Sequence, residues 1–199
     1  MNTPFAVLWR RLDAPGHDAC QFEQSKSGWS LRGSAVFLDE HKVCQLRYEV
    51  LADAAFQTRE AAVVGWLGEV PVDLRICAVG NGTWTVNGTE QPPIAGCIDL
   101  DLGFTPAANF LPARRLGLII GEDAQAPAAY LAFPQLKFEV LPQRYKRLSD
   151  TEYDYEAPSV GYRGTLKLSP EGVIVFYPDL FLREESPGQV NDEGGRGQT

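Results

Sequence analysis

"VPVDLRICA", residues 70–78, alternates between apolar and polar side chains more clearly than any other stretch of this chain. Val70, Val72, Leu74, Ile76 and Ala78 fall on one face, with Asp73, Arg75 and Cys77 on the other. A period of two marks a strand with one buried face. The same period runs through Phe5, Val7 and Trp9, through Trp29, Leu31, Ala35 and Phe37, and through Cys44, Leu46, Tyr48 and Val50. Further strands are expected at 116–121, 128–133, 136–141, 162–168 and 172–177. Asn87-Gly88 suits a tight hairpin whose two central residues take positive φ. Pro170-Glu171-Gly172 reads as the turn between the last two strands.

Helical signals are scarce. Thr105 can cap a short helix with Pro106 at its first position, and Pro112 disfavours helical geometry at Leu111, so the turns should stop there. Residues 53–62 fit a helix or a strand equally well. The expected fold is all-β dominated: a large, mostly antiparallel sheet that curls or closes on itself, barrel-like, with one short α-helix. At 199 residues the chain fits one domain, taken as residues 1–183. Residues 184–199, polar and glycine-rich, are expected to be a disordered tail.

The net charge of −8 disfavours nucleic acid and anionic membrane surfaces as partners. It leaves Arg144, Lys146 and Arg147 as a local basic patch. No apolar run reaches the roughly 18 residues of a membrane helix, so a spanning segment is not expected. The start, "MNTPFAVLWRRLD", lacks the pattern of a secretory signal, and a cytoplasmic location is the expectation. Cys20, Cys44, Cys77 and Cys97 form no C-x-x-C pair and read as buried free thiols. Asn81-Gly82-Thr83 and Asn87-Gly88-Thr89 match glycosylation acceptors but, without such a signal, read as turns. His17 and His41 sit in turn-like contexts. With no metal-ligand spacing, phosphate loop, dinucleotide fingerprint or nucleophile elbow, no cofactor or metal is expected.

The chemistry concentrates in "GCIDLDLGFTPAANFLPARRLGL", residues 96–118. On a strand, Cys97, Asp99 and Asp101 share one face while Ile98, Leu100 and Leu102 share the other. The leucines have a core to enter. The aspartates need water, a cation or a polar pocket, because an unpaired buried carboxylate is strongly disfavoured. Arg114 or Arg115 could simply neutralise them. Alternatively the carboxylates line a pocket and accept hydrogen bonds from sugar hydroxyls, beside aromatic faces that suit an amphipathic ligand.

This stretch resembles the bacterial family of "putative glycolipid-binding" proteins. Gly96, Cys97, Asp99, Asp101, Leu102, Thr105, Pro106, Asn109, Leu111, Pro112, Arg114, Arg115 and Leu116 carry the resemblance. Trp84 before a hairpin glycine, "AAYLAFPQLKFEVLPQRYKR" and "YRGTLKLSPEGVIVFYPDLFLR" extend it from Trp9 to Arg183. The resemblance implies a large antiparallel sheet wrapped around a single helix, broadly like lipoprotein-localisation factors, and a homodimer. It also implies an acidic pocket and a role in glycolipid metabolism. Ala108 and Phe110 stand where the family has small hydroxyl residues, and Asn87 where an aspartate is frequent, which implies a less acidic pocket.

The resulting expectation is a non-enzymatic protein that binds a glycolipid or other amphipathic small molecule. Asp99 and Asp101 accept hydrogen bonds from the head group, and Asn109 both donates and accepts. Arg114 and Arg115 orient the carboxylates or meet an anionic group. Trp84 and Tyr145 contribute to the lining. Two alternatives stay open. Residues two apart on a strand are separated by about 6.6 Å, and glycosidase carboxyls lie about 5–9.5 Å apart, so Asp99 and Asp101 also fit a glycoside hydrolase. A ligand-free dimeric interaction domain instead requires both aspartates to be paired with Arg114 or Arg115.

Overall fold

The computed structural model describes residues 3–80 and 82–185. Asn81, at the head of the expected 81–83 turn, and residues 186–199 of the expected tail lie outside the described residues. The strands are β1 (Phe5–Arg11), β2 (Gly16–Gln24), β3 (Gly28–Asp39), β4 (Lys42–Asp53), β5 (Thr58–Leu67), β6 (Val70–Ala78), β7 (Trp84–Val86), β8 (Thr89–Glu90) and β9 (Asp99–Leu102). After the helix α1 (Phe110–Leu116) come β10 (Asp123–Gln125), β11 (Ala128–Ala132), β12 (Lys137–Leu141) and β13 (Arg144–Arg147). The last four are β14 (Glu152–Ala157), β15 (Tyr162–Leu168), β16 (Ile174–Tyr177) and β17 (Phe181–Arg183).

A 14-stranded sheet runs in the order β10-β13-β14-β15-β16-β17-β1-β2-β3-β4-β5-β6-β7-β8. It is two antiparallel meanders joined where β1 lies beside β17, Trp9 opposite Arg183. Its ends, β10 and β8, do not pair with each other. Of the two expected forms, curled or closed, the sheet therefore takes the curled, open one. Irregular register at Leu51/Ala52 and Lys167/Leu168 adds local twist to the curl. Gly33 lies opposite Tyr48, and a Cβ there would sit 2.2 Å from the tyrosine ring, so glycine lets that ring lie across its neighbour. A 3-stranded sheet, β12-β11-β9, packs inside, with β11 parallel to β9.

The alternation read from sequence places Val7, Trp9, Leu31, Phe37, Leu46, Val72 and Ile76 in the core, where Phe22 and Val63 join them, while Val70 at the head of β6 is exposed. Asn87 and Gly88 take φ of 49° and 79° in the β7–β8 hairpin, and Gly172 takes 95° in the turn before β16. Residues 53–62 resolve into a turn and the start of β5. Two expectations change. Residues 116–121 form no strand, because Leu116 ends α1 and Gly117 terminates it in the left-handed region. Pro112 does not end the helix but sits in its first turn, where a missing N–H loses no intrahelical bond.

A 3₁₀ turn at Ala107–Asn109 leads into α1, and Pro106, expected as the first helical residue, is the N-cap of that turn. The Thr105 hydroxyl, one residue ahead of Pro106, accepts from the Ala107 N–H at 3.0 Å and does not cap the helix, which starts at Phe110. The sheet wraps around this segment. Phe110 enters a cluster with Phe22, Trp29 and Phe56, its ring 4.9–5.9 Å from theirs. Beyond β17, Glu184 pairs with Arg10 at 2.8 Å. No helix of the described residues is long and apolar enough to cross a membrane.

Candidate functional site

β9 separates the two aspartates that the sequence brought together. Leu100 and Leu102 enter the core as expected, whereas Ile98, just before the strand, is 42% exposed. Asp99 is buried and held by Arg115, whose Nε donates to Oδ1 at 3.0 Å and whose Nη2 donates to Oδ2. Burial pushes this carboxyl up, and the guanidinium opposes that rise. Asp101 has a different partner. Gln143 Nε2 donates to its Oδ2 at 2.7 Å, the one hydrogen bond it receives among the described residues. Asn109 donates to the Tyr145 hydroxyl at 2.9 Å, and that hydroxyl donates to Gln143 Oε1 at 3.3 Å. The residue just ahead of α1 is thus wired through Tyr145 and Gln143 to Asp101.

Asp101 faces a cavity of about 230 Å³ between the small sheet and the β14–β17 half of the large one. Thr105 and Asn109 add polar groups, and Tyr130, Tyr155, Tyr162 and Tyr177 form its aromatic walls. Gly103 makes room for Tyr130, since a Cβ there would lie 2.7 Å from the hydroxyl. Burial, reinforced by the Asp99 charge, pushes the Asp101 carboxyl up to about 6, with Gln143 opposing. Burial also raises Tyr130 to about 12 and Tyr155 and Tyr177 well above their ordinary value, so these phenols stay neutral. Val160, 47% exposed, and half-buried Leu180 bring apolar surface to the mouth.

A second buried network stands behind Thr105. Tyr48 donates to the Asp18 carboxylate at 2.9 and 3.1 Å, and the Thr105 hydroxyl also donates to Asp18. Burial pushes Asp18 up to about 6, against the hydrogen bonds and the nearby Arg11. Arg11 pairs with Asp13, lies over the Phe37 and Phe181 rings at 4.4 and 5.3 Å, and keeps Nη1 buried without a partner among the described residues.

Of the residues singled out by sequence, Asp101, Asn109 and Tyr145 come together, the last as a buried linker behind the cavity. Asp99 and Arg115 neutralise each other beside them. Arg114 is exposed, lies 5.6 Å over Phe56 and touches neither aspartate. Trp84 is buried elsewhere and donates its indole N–H to the Cys97 carbonyl at 3.0 Å. Two cations of the basic patch are paired: Arg144 meets Asp123, Asp154 and Glu156, and Arg147 meets Asp150 and three backbone carbonyls. Cys20, Cys44 and Cys97 are buried free thiols and Cys77 is half-buried. Among the described residues no cluster of His, Cys, Asp or Glu could hold a metal.

Gln143, Asp18 and the four cavity tyrosines escaped sequence reading. One signal was present: Asp18 occupies an inward position between buried neighbours on alternating β2. The tyrosines come from β11, β14, β15 and β16 and meet only through tertiary pairing. With Asp99 tied to Arg115, the cavity lining holds a single carboxylate, so a two-carboxylate glycosidase arrangement is not assembled there. Equally, Asp101 pairs with no arginine, unlike the ligand-free interaction domain. A larger, more open hollow of about 590 Å³ lies along β2–β5, lined by Ala19, Gly33, Ala62 and Val64 with Arg32, Arg47, Glu49 and the buried Tyr48, but it brings in no buried carboxylate. The tyrosine cavity is smaller and chemically richer.

The family model described as "Putative glycolipid-binding" matches residues 6–183. A solved structure of a DUF1089 family protein from Pseudomonas aeruginosa is similar, with 26% sequence identity over 92% of this chain and 94% of that chain and a TM-score of 0.74. No curated protein matches.

Proposed function

The chain belongs to the "Putative glycolipid-binding" family, and from that premise we propose that it binds an amphipathic lipid with a glycosyl head group in the tyrosine-lined cavity. The observation that carries this reading is Asp101: a carboxyl at a cavity wall, with one oxygen held by Gln143 and the other left to accept from a ligand. Asn109, Thr105 and the neutral tyrosine hydroxyls add donors and acceptors of the kind that meet sugar hydroxyls. The acyl chains leave past Val160 and Leu180. Asp99 and Arg115 act as the fixed scaffold of β9, and Arg114 stands outside the site. In this reading residues 1–183 form a cytoplasmic, non-enzymatic carrier in glycolipid metabolism. It works as a homodimer, for which the unpaired ends at β8 and β10 offer backbone groups.

Native mass spectrometry of the protein, purified gently from its own organism, tests this directly. The expected spectrum shows a dimer with a lipid-sized adduct that solvent extraction identifies as a glycolipid. An unliganded mass, unchanged after incubation with a total lipid extract of that organism, would contradict it.

A further inference from the structure

The rings around the cavity are arranged as walls rather than as a stack. Tyr177 stands 5.0 Å from Tyr162 and 5.8 Å from Tyr155, at interplanar angles of 70° and 80°. Tyr155 and Tyr162 are 5.9 Å apart at 48°, and Phe181 lies 6.4 Å from Tyr177 at 59°. Rings inclined in this way meet edge to face and do not stack, so no ring covers all the π faces of its neighbours, and all of them border the one cavity. Into that space comes one carboxyl, Asp101, and no lysine or arginine. The nearest guanidiniums are spoken for: Arg115 is bidentate on Asp99, and Arg11 is paired with Asp13 and lies on Phe181 without lining the cavity. An aromatic box with one carboxylate is the environment that holds an ammonium group, through cation–π attraction and a charge-assisted contact. The same environment repels phosphate or sulfate, which would find no cation.

From this geometry we infer that the cavity recognises an ammonium-bearing head group, such as an amino sugar or a quaternary amine, over its neutral or anionic counterpart. The inference rests on the cavity being the head-group site. It narrows that reading to one charge class.

The test is a calorimetric and NMR titration of the full chain with choline, with its uncharged isostere 3,3-dimethylbutan-1-ol, and with glucosamine and glucose. The expected result is that each cation binds at least about tenfold more tightly than its neutral counterpart, the scale of a single desolvated cation–π contact. Whichever cation binds more tightly identifies the source as quaternary amine or amino sugar. Asp101→Asn should erase the preference while its melting curve stays cooperative. Lowering the pH to about 5 should weaken cation binding without any mutation. Asp101, raised to about 6, takes up a proton there, while the Tyr130, Tyr145, Tyr155 and Tyr177 phenols, raised above their ordinary value, stay neutral. Asp18, also raised to about 6 and bonded to the cavity residue Thr105, is controlled by repeating the pH titration on Asp18→Asn. Equal binding of charged and neutral partners, or no binding of either cation, overturns the inference. A neutral glycolipid captured through Asp101 would still leave the glycolipid reading standing, whereas lipid capture indifferent to Asp101→Asn would remove the site itself.

Discussion

Two aromatic clusters share the concave side of the same sheet, and they do opposite work. Under β2–β5, Phe22, Trp29, Phe56 and Phe110 fill the space, with Phe110 as the plug delivered by the first turn of α1. Under β13–β16, Tyr145, Tyr155, Tyr162 and Tyr177 pack at similar centroid distances, yet a cavity of about 230 Å³ remains beside them. The difference is chemical. A phenylalanine cluster gains by excluding all space. A tyrosine cluster brings hydroxyls that need partners: Tyr145 finds Gln143 and Asn109, Tyr162 finds the Pro178 carbonyl, and a polar hollow lined by Asp101 lies beside them. The first region is a core. The second is the kind of surface a ligand completes.

The largest effect expected is on the filled side. Phe110→Ala should cost about 3–5 kcal/mol, because a ring in contact with three others leaves a cavity that cannot collapse. Urea unfolding checks it, and a loss under about 1 kcal/mol would mean that the two halves are not packed differently. Next comes the scaffold of the polar side. Arg115→Gln should cost about 3 kcal/mol by stranding the buried Asp99 carboxylate, and the Asp99→Asn/Arg115→Gln pair should recover most of it. No recovery in the double variant would show that the ion pair is not the cause.

The boundary between the halves should respond to pH. Asp18 has a folded pKa of about 6 against an ordinary value of 3.8. Between those values the folded state holds the proton more tightly, so this group's stabilising contribution is present below about pH 4 and lost as pH rises through about 6. A rise of about two units is worth about 3 kcal/mol at full extent. Stability of the wild type relative to Asp18→Asn should therefore fall by up to that amount from pH 4 to 7, and a flat difference would refute the burial assigned to Asp18. The smallest effect belongs to exposed Arg114, which only borders the filled region over the Phe56 ring. Arg114→Ala should change stability by no more than about 0.5 kcal/mol and leave ligand affinity unchanged. A measurable loss of affinity would return Arg114 to the site.

Much of the fold was legible because strand alternation is local. The inward faces of β1, β3, β4 and β6 and the turns at Asn87-Gly88 and before Val173 follow from neighbours in sequence. Closure was not legible, since the pairing of β1 with β17 and of β10 with β13 joins distant segments and decides whether the ends meet. Pro112 misled for a related reason: a proline two residues into a helix and one that ends it look alike until the first hydrogen bond is placed. At the site, Asp99 and Asp101 share a strand face yet part company, because Arg115 reaches Asp99 from the last turn of α1 while Gln143 arrives from just before β13. Nothing local distinguishes them. The cavity tyrosines were present in the sequence as strand aromatics, but only the tertiary pairing of β11 with β9 and of β14 through β16 sets them around Asp101.

The central claim is that a ligand completes the tyrosine region and leaves the phenylalanine region untouched. The most direct measurement is an NMR titration of protein carrying ¹³C-labelled tyrosine and phenylalanine rings with an octyl glucosaminide, an amphiphile with a sugar head. The account predicts saturable shifts at Tyr155, Tyr162 and Tyr177, with Phe22 and Phe110 unmoved and the tyrosine shifts lost in Asp101→Asn. Shifts centred on Phe22 and Phe110, with the cavity tyrosines silent, would contradict it.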